Sequence, residues 1–241
     1  MKKHIKTTSA ALFVLLLVIT GTGFSQDGGT VSFAKQNKSK HYTSFALGMG
    51  AAYGNNKSLN TFIGYELPGY NNVADSRKLK DFKTGFEFFG IVERQVASKI
   101  AVKLDYSYFL KSNKVDDYPN QSFDYSNHQI LLGANYLIPG EYYFLKFGLS
   151  AGPVFSSLDS KSYTSNSGIF TSTGLLAKAE GSFSVQMGSS LAGYISCYVG
   201  NVFSGNLKDG NGKEIKNAAG ETVNLSSFMF GVRLGIEFYI F

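Results

Sequence analysis

The sequence predicts an all-β fold, a closed antiparallel β-barrel of eight strands that crosses a membrane. Three observations predict it. Apolar residues alternate with small or polar residues over eight segments. The connections between these segments alternate between tight turns and long polar stretches, and the first residues are typical of an export signal. With 27 Gly, 15 Tyr, 21 Phe and 44% apolar residues, the composition is typical of strands and excludes a disordered chain.

The N-terminal residues are predicted to be removed on export. Three lysines precede the apolar run Ala10 to Ile19, and the small residues Gly23 and Ser25 stand before Gln26. This run is far shorter than the roughly 20 residues of a spanning helix. We therefore expect a signal peptide over 1–25, a flexible periplasmic segment over 26–43 and the barrel over 44–241. Removal takes away three lysines and no acid, so the net charge falls from +6 to +3, and no nucleic-acid partner is expected.

The strands are predicted from residues of alternating character. In chain order they cover 45–53, 82–93, 100–110, 128–138, 143–152, 173–187, 191–203 and 228–241. The last is typical: Phe230, Val232 and Leu234 share one face, and Gly231 and Arg233 share the other. The facing of 191–203 stays undecided, because both of its faces hold apolar and small residues.

The connections predict how the barrel is oriented. Short turns fall at 94–98, 139–141 and 188–190, whereas the polar stretches 55–81, 111–127, 156–172 and 204–226 are long. Tight turns at one end and long loops at the other are typical of outer-membrane barrels, whose short turns face the periplasm. The four long stretches are therefore predicted to be solvated external loops.

Period two does not by itself say which face points inward. A soluble, lipocalin-like barrel would turn its apolar face inward and crowd its outer face with Lys and Glu. Here the less apolar face is rich in Gly, Ala and Ser, with one or two charges per strand, which suits a narrow interior. We therefore predict that the Leu, Ile, Val, Phe and Tyr face contacts lipid.

The exported N-terminus, the eight strands, the uneven loops and the terminal Tyr239 and Phe241 together resemble the small outer-membrane β-barrel family that includes OmpA-like and OmpX-like proteins. The resemblance covers residues 44–241, the barrel domain only. It implies location in the outer membrane of a Gram-negative cell. It also implies that Tyr239 and Phe241 form a C-terminal signal for the barrel-assembly machinery. The pattern departs from the family's in one respect, because Phe241 shares a phase with Glu237 and Arg233 rather than with Phe238 and Ile240.

Charged residues on the inward face form the main candidate site. Four acids and four bases share that face: Glu87, Lys103, Asp105, Lys146, Lys178, Glu180, Arg233 and Glu237. Equal numbers indicate pairing that closes the lumen, and the alternative is a gated ion or proton path along the same charges. The forked side chain of Arg233 is expected to hold Glu87 and Glu237.

Ser126 and His128 form a second, weaker candidate site on the outer face near the external rim. Lipid A deacylases built on eight-stranded barrels place a Ser, a His and an acid in such a position. Asp124 is the available acid, but its offset along the strand is awkward, and the usual order of His before Ser is reversed. The alternative is that His128 is an interfacial residue of the aromatic girdle.

The remaining sequence features predict no cofactor and no metal site. Cys197 is the single cysteine, and the GxG fragments lie inside strands rather than at a strand-to-helix turn. We expect a non-enzymatic barrel with structural or surface-interaction roles, with a small pore and a lipid A esterase as alternatives. The expected partners are outer-membrane lipid, the assembly machinery and an unidentified ligand of the loops.

Overall fold

The computed structural model describes residues 41–66, 83–115, 121–161, 167–217 and 220–240. The predicted signal peptide, most of the predicted N-terminal segment and Phe241 lie outside these residues. Within the described ranges no helix is both long and apolar enough to cross a membrane.

The described chain folds into a closed antiparallel barrel of eight strands, as predicted. Each strand pairs with its neighbours in sequence, and the first strand also pairs with the last. The elements in chain order are β1 (Thr43–Asn55), α1 (Lys57–Glu66), β2 (Thr84–Ala97), β3 (Ile100–Val115), β4 (Gln121–Pro139), β5 (Tyr143–Lys161), β6 (Gly168–Gln186), β7 (Leu191–Ser204) and β8 (Ser227–Ile240). β1 thus begins one residue before the predicted start of the barrel.

The register of the strand pairs fixes the width of the barrel. A path that starts at Phe45 and steps from each residue to its paired neighbour passes through every strand and returns to β1 at Asn55. The stagger of the barrel is therefore ten residues. With a rise of about 3.3 Å per residue and about 4.8 Å between strands, this stagger tilts the strands by roughly 40°. Eight strands at that tilt leave an interior only wide enough for side chains.

Two of the predicted external loops are largely strand, and this part of the prediction was wrong. β3 continues to Val115 and β4 begins at Gln121, so most of 111–127 is paired; β5 and β6 likewise extend into 156–172. The reason is that the two faces of these strands exchange their character towards this end of the barrel. Beyond the lipid-facing band the large apolar residues point inward, as Phe123, Leu158 and Phe170 do, and the outer face becomes polar. A prediction that follows outward apolar residues stops where that band stops.

The facing of β7 is settled by the burial of its side chains. Tyr194, Ser196 and Tyr198 are buried in the lumen, whereas Ile195 and Val199 are exposed on the outside. The sequence pattern is ambiguous for β7 because its inward positions carry no charge and both of its faces mix apolar and small residues.

The connection between β7 and β8 contains two similar eight-residue segments, Leu207–Glu214 and Ile215–Thr222. In each segment a glycine, Gly212 or Gly220, has a φ of about +80°, a conformation that favours glycine. Gly212 donates its N–H to the carbonyl of Asp209, and Gly220 donates to that of Asn217. Leu207 donates its N–H to Val223, Ile215 to Leu207, and Val223 to Ile215, at 2.7, 2.9 and 3.1 Å. The three side chains of this triangle all point into the mouth of the barrel and are buried.

Helix α1 lies within the first predicted loop, and the sequence pattern did not predict it. Asn56 caps it by accepting the N–H of Leu59 at 2.8 Å. Leu59 and Phe62 are fully buried and join the apolar residues of the β7–β8 connection and of the strand ends. We call α1 together with residues 205–226 the external cap, because it covers the barrel end opposite the short turns.

Candidate functional site

All eight charged residues predicted to face the lumen are buried inside the barrel. The structure brings them into two groups. The mid-lumen cluster consists of Glu87, Lys103, Asp105, Lys178, Glu180 and Arg233. The turn-end cluster consists of Lys146 and Glu237 together with Glu93, and it lies towards the short turns.

Arg233 is the centre of the mid-lumen cluster and is 0% exposed. Its Nη2 lies 2.5 Å from Glu87, and its Nη1 lies 2.9 Å from Asp105 and 3.3 Å from Glu180. It thereby ties β8 to β2, β3 and β6. The guanidinium also lies 5.0 Å from the ring centre of Phe89 and 4.8 Å from that of Tyr198, a cation–π arrangement that Arg favours.

The other members of the mid-lumen cluster complete its pairing. Lys103 contacts Glu180 at 3.0 Å, and Lys178 contacts both Asp105 and Glu180. Tyr198 donates its hydroxyl to Glu87 at 2.8 Å, and Tyr194 donates to Glu180 at 3.0 Å. A buried charge is tolerated only when it is paired and hydrogen-bonded. These ion pairs and hydrogen bonds therefore compensate the cost of burying the charges at the centre of the lumen.

In the turn-end cluster one ammonium serves two carboxylates. Lys146 lies 2.7 Å from Glu93 and 2.6 Å from Glu237. The second negative charge is stabilised by neutral donors: Glu237 accepts hydrogen bonds from Ser44, Ser184 and Tyr239, and Glu93 from Tyr42 and Asn135. Burial raises the pKa of Tyr42, which precedes β1, well above its usual range. Its hydroxyl therefore stays protonated and keeps its role as a donor.

The structure corrects one expected contact of this site and adds one residue to it. Glu237 contacts Lys146 rather than Arg233. The Cα atoms of Arg233 and Glu237 are about 13 Å apart along β8, and the guanidinium of Arg233 lies against Glu87, Asp105 and Glu180 instead. Glu93 was left out of the predicted set, although it shares the phase of Glu87 on β2 and is buried. The position of Glu93 in the alternation of β2 was the signal that could have placed it in the lumen. Tyr239, which the resemblance places in the assembly signal together with Phe241, is buried in the lumen. Phe241 lies outside the described residues, so the assembly signal stays a prediction.

Apolar side chains lie at both ends of the charged section. At the short-turn end, the rings of Tyr42, Phe144 and Tyr239 pack with centres 5.1 to 5.7 Å apart. At the other end, the external cap and the strand ends share one apolar core. Two interior cavities, one in each half of the lumen, measure about 10 Å³ each, roughly the room needed by one water molecule.

The second candidate site does not assemble into a catalytic group. His128 lies on the outer face, where its Nδ1 is 2.8 Å from the hydroxyl of Tyr106 and its ring packs on Tyr108. Asp124 accepts a hydrogen bond from Ser112. Within the described strands no hydrogen bond joins Ser126 to His128. Nor do the described residues contain a group of three or more His, Cys, Asp or Glu side chains that could hold a metal ion.

The apolar character of the outer surface indicates what surrounds the barrel. Large apolar side chains are exposed on every strand, for example Met49, Phe86, Leu104, Leu132, Leu149, Leu175, Phe203 and Leu234. Such an apolar surface is far larger than a soluble monomer tolerates in water, and the lumen holds the buried charged side chains. A closed barrel also leaves no strand edge unpaired in lipid. The chain is a transmembrane β-barrel. Antiparallel barrels of this kind belong to outer membranes, so the predicted outer-membrane location follows.

The sequence of this outer-membrane barrel matches no family model and no curated protein. Solved structures do match it. The Neisserial surface protein A structure has a TM-score of 0.48 at 11% identity, covering 82% of this chain and 96% of that chain. A major outer membrane protein from Thermus thermophilus has a TM-score of 0.48 at 12% identity, covering 82% and 99%. Ail, the attachment invasion locus protein of Yersinia pestis, in complex with the heparin analogue sucrose octasulfate, has a TM-score of 0.46 at 11% identity, covering 83% and 99%. These similarities concern the fold, whereas the apolar outer surface of the barrel is what indicates a membrane.

Proposed function

We propose that this outer-membrane barrel is non-enzymatic, that its lumen is closed, and that its external surface carries a structural or surface-interaction role. The observation that supports this most directly is Arg233. A fully buried guanidinium that crosses the lumen to three acids on three other strands occupies the space through which a solute would pass.

The balance of charge supports the same proposal. Five acids (Glu87, Glu93, Asp105, Glu180 and Glu237) and five bases (Lys103, Lys111, Lys146, Lys178 and Arg233) are buried among the described residues. A selective pore would bias its lining towards one sign. Mutual pairing instead holds the strands at fixed positions, which suits a scaffold that presents its external end.

The external cap is the part that we propose meets a partner. Its two turns expose polar side chains to water, among them Lys208, Lys213, Glu214, Lys216 and Glu221. Beneath them the buried triangle of Leu207, Ile215 and Val223 fixes their position. Recognition residues on loops held by a rigid scaffold are common in proteins. We further propose that the assembly machinery inserts the barrel and that bilayer lipid is its permanent surrounding.

Conductance and lipid composition test this proposal. Purified wild-type barrel in planar bilayers is expected to show no steady current, with a general porin as the control for insertion. Lipid A from cells with and without the protein is expected to have the same acyl chains, because Ser126 and His128 form no catalytic group. Large persistent current steps would make the barrel a pore. Loss of one acyl chain that is abolished by both Ser126→Ala and His128→Ala would make it an esterase.

A further inference from the structure

One of the two small lumen cavities lies between the mid-lumen cluster and the turn-end cluster. Lys103 and Glu180 of the first and Lys146 and Glu237 of the second line it, with Ser182 beside them. All of these residues are at least nine-tenths buried. At about 10 Å³ the cavity matches the space of one water molecule.

The two lysines bring more donors to this cavity than the neighbouring carboxylates receive from them. An ammonium group has three N–H donors. Lys103 contacts one carboxylate, Glu180 at 3.0 Å, and Lys146 contacts two, at 2.7 and 2.6 Å. Each ammonium therefore has donor capacity beyond its ion pairs, and a buried donor without an acceptor is costly.

The charges around the cavity favour a neutral occupant. Glu93, Glu180 and Glu237 face it together with Lys103 and Lys146. A cation would meet two ammonium groups at close range, and an anion would meet three carboxylates. A molecule that both accepts and donates hydrogen bonds satisfies both kinds of neighbour.

We propose that this cavity is a binding site for a single ordered water molecule. The water accepts hydrogen bonds from Lys103 and Lys146 and donates its two O–H groups to Glu180 of the mid-lumen cluster and Glu237 of the turn-end cluster. It thereby joins the mid-lumen and turn-end clusters into one continuous hydrogen-bonded unit. This goes beyond the closed lumen proposed above, since two separate clusters would close the lumen equally well.

Filling the cavity with a methyl group tests the site. Ser182→Val places extra carbon at its wall, which displaces the water and leaves both ammonium groups short of an acceptor. Ser196→Val is the matched control, because Ser196 is the cross-strand partner of Ser182 and does not line the cavity. We expect the unfolding midpoint of Ser182→Val to lie at least about 3 °C below that of Ser196→Val.

Two further measurements keep the test decisive. A crystal structure of the wild-type barrel that resolves ordered waters is expected to show one density peak bonded to Lys103 and Lys146. A double-mutant cycle of Glu180→Gln with Glu237→Gln is expected to show coupling in the wild-type background and none in Ser182→Val. An unoccupied cavity in that crystal structure, equal midpoints for the two Val variants, or coupling that survives in Ser182→Val would each overturn the proposal.

Discussion

Arg233 ties four strands together across the lumen through its three carboxylate partners. Replacing it with alanine removes the cation beside Glu87 and takes one of the cations from Asp105 and Glu180, all in a buried site. Removing one partner of a buried ion pair typically costs about 3 to 5 kcal/mol. We therefore expect Arg233→Ala to lower the urea midpoint of unfolding in lipid vesicles well below that of wild type.

Lys161→Ala is the control for this prediction, because Lys161 is an exposed lysine at the external end of β5. Exposed substitutions usually change stability by less than about 0.5 kcal/mol. Equal midpoints for the two variants would mean that the charges of the lumen contribute no net stability and that the closing role of Arg233 has to be abandoned.

Gly231 permits the close approach of an aromatic ring. A Cβ at this position would lie 2.5 Å from the ring of Tyr198. That ring cannot move freely, because its hydroxyl donates to Glu87 and its face packs on Arg233. Gly231→Ala is therefore expected to cost about 1 to 3 kcal/mol of unfolding free energy, as overpacking typically does.

Gly181→Ala provides the comparison for Gly231→Ala. A Cβ at Gly181 would meet the ring of Phe147 at 3.6 Å, which is ordinary contact. Thermal unfolding of both variants, followed by circular dichroism, checks the difference. A Gly231→Ala barrel as stable as Gly181→Ala would show that Tyr198 has room to shift.

The sequence predicted the composition of the lumen better than its pairing. Period two placed each predicted charge on the inward face, since alternation assigns a face to every residue of a strand. The alternation did not say at which level along the barrel axis each charge lies. The pairing depends on the tilt of the strands and the stagger of ten residues, which bring Arg233 level with Asp105 of β3 rather than with Glu237 of its own strand.

At the scale of elements, the external cap is built like the interior of a soluble protein. Leu207 is fully buried in it. Leu207→Asp puts an unpaired charge into that core. We expect protease to cut residues 208–222 of this variant much faster than those of wild type, while the membrane part of the barrel stays intact.

Lys208→Asp is the control, because Lys208 is the exposed neighbour of Leu207 and receives the same new side chain. Its rate of cleavage is expected to stay within a few-fold of wild type. Rapid cleavage of both variants, or of neither, would mean that the β7–β8 connection does not depend on the buried triangle.

The elements that the sequence missed all belong to this external end. In β3 to β6 the outward apolar residues end before the strands do, so the alternation predicts loop where the strands in fact stay paired. Among the side chains of helix α1 that the structure describes, Leu59 and Phe62 are the buried apolar ones. A helix of ten residues offers too few turns for a helical period to be recognised within a polar stretch.

For the whole molecule, closure predicts how the protein behaves in detergent. A closed barrel has no unpaired strand edge, so it resists detergent until boiled. We expect unboiled and boiled samples to migrate differently on a gel and the protein to fractionate with the outer membrane. Recovery from the soluble periplasm with no difference in mobility would contradict the transmembrane assignment.

The pairing of β1 with β8 also bears on biosynthesis. Strands β1 to β7 alone would present two unpaired edges, and the hydrocarbon layer offers no water to satisfy them. A nascent chain therefore gains a stable place in the bilayer only after its last strand has been made. We therefore expect ring closure to distinguish complete chains from interrupted ones, because a polypeptide without β8 keeps two unpaired edges and is excluded from the bilayer.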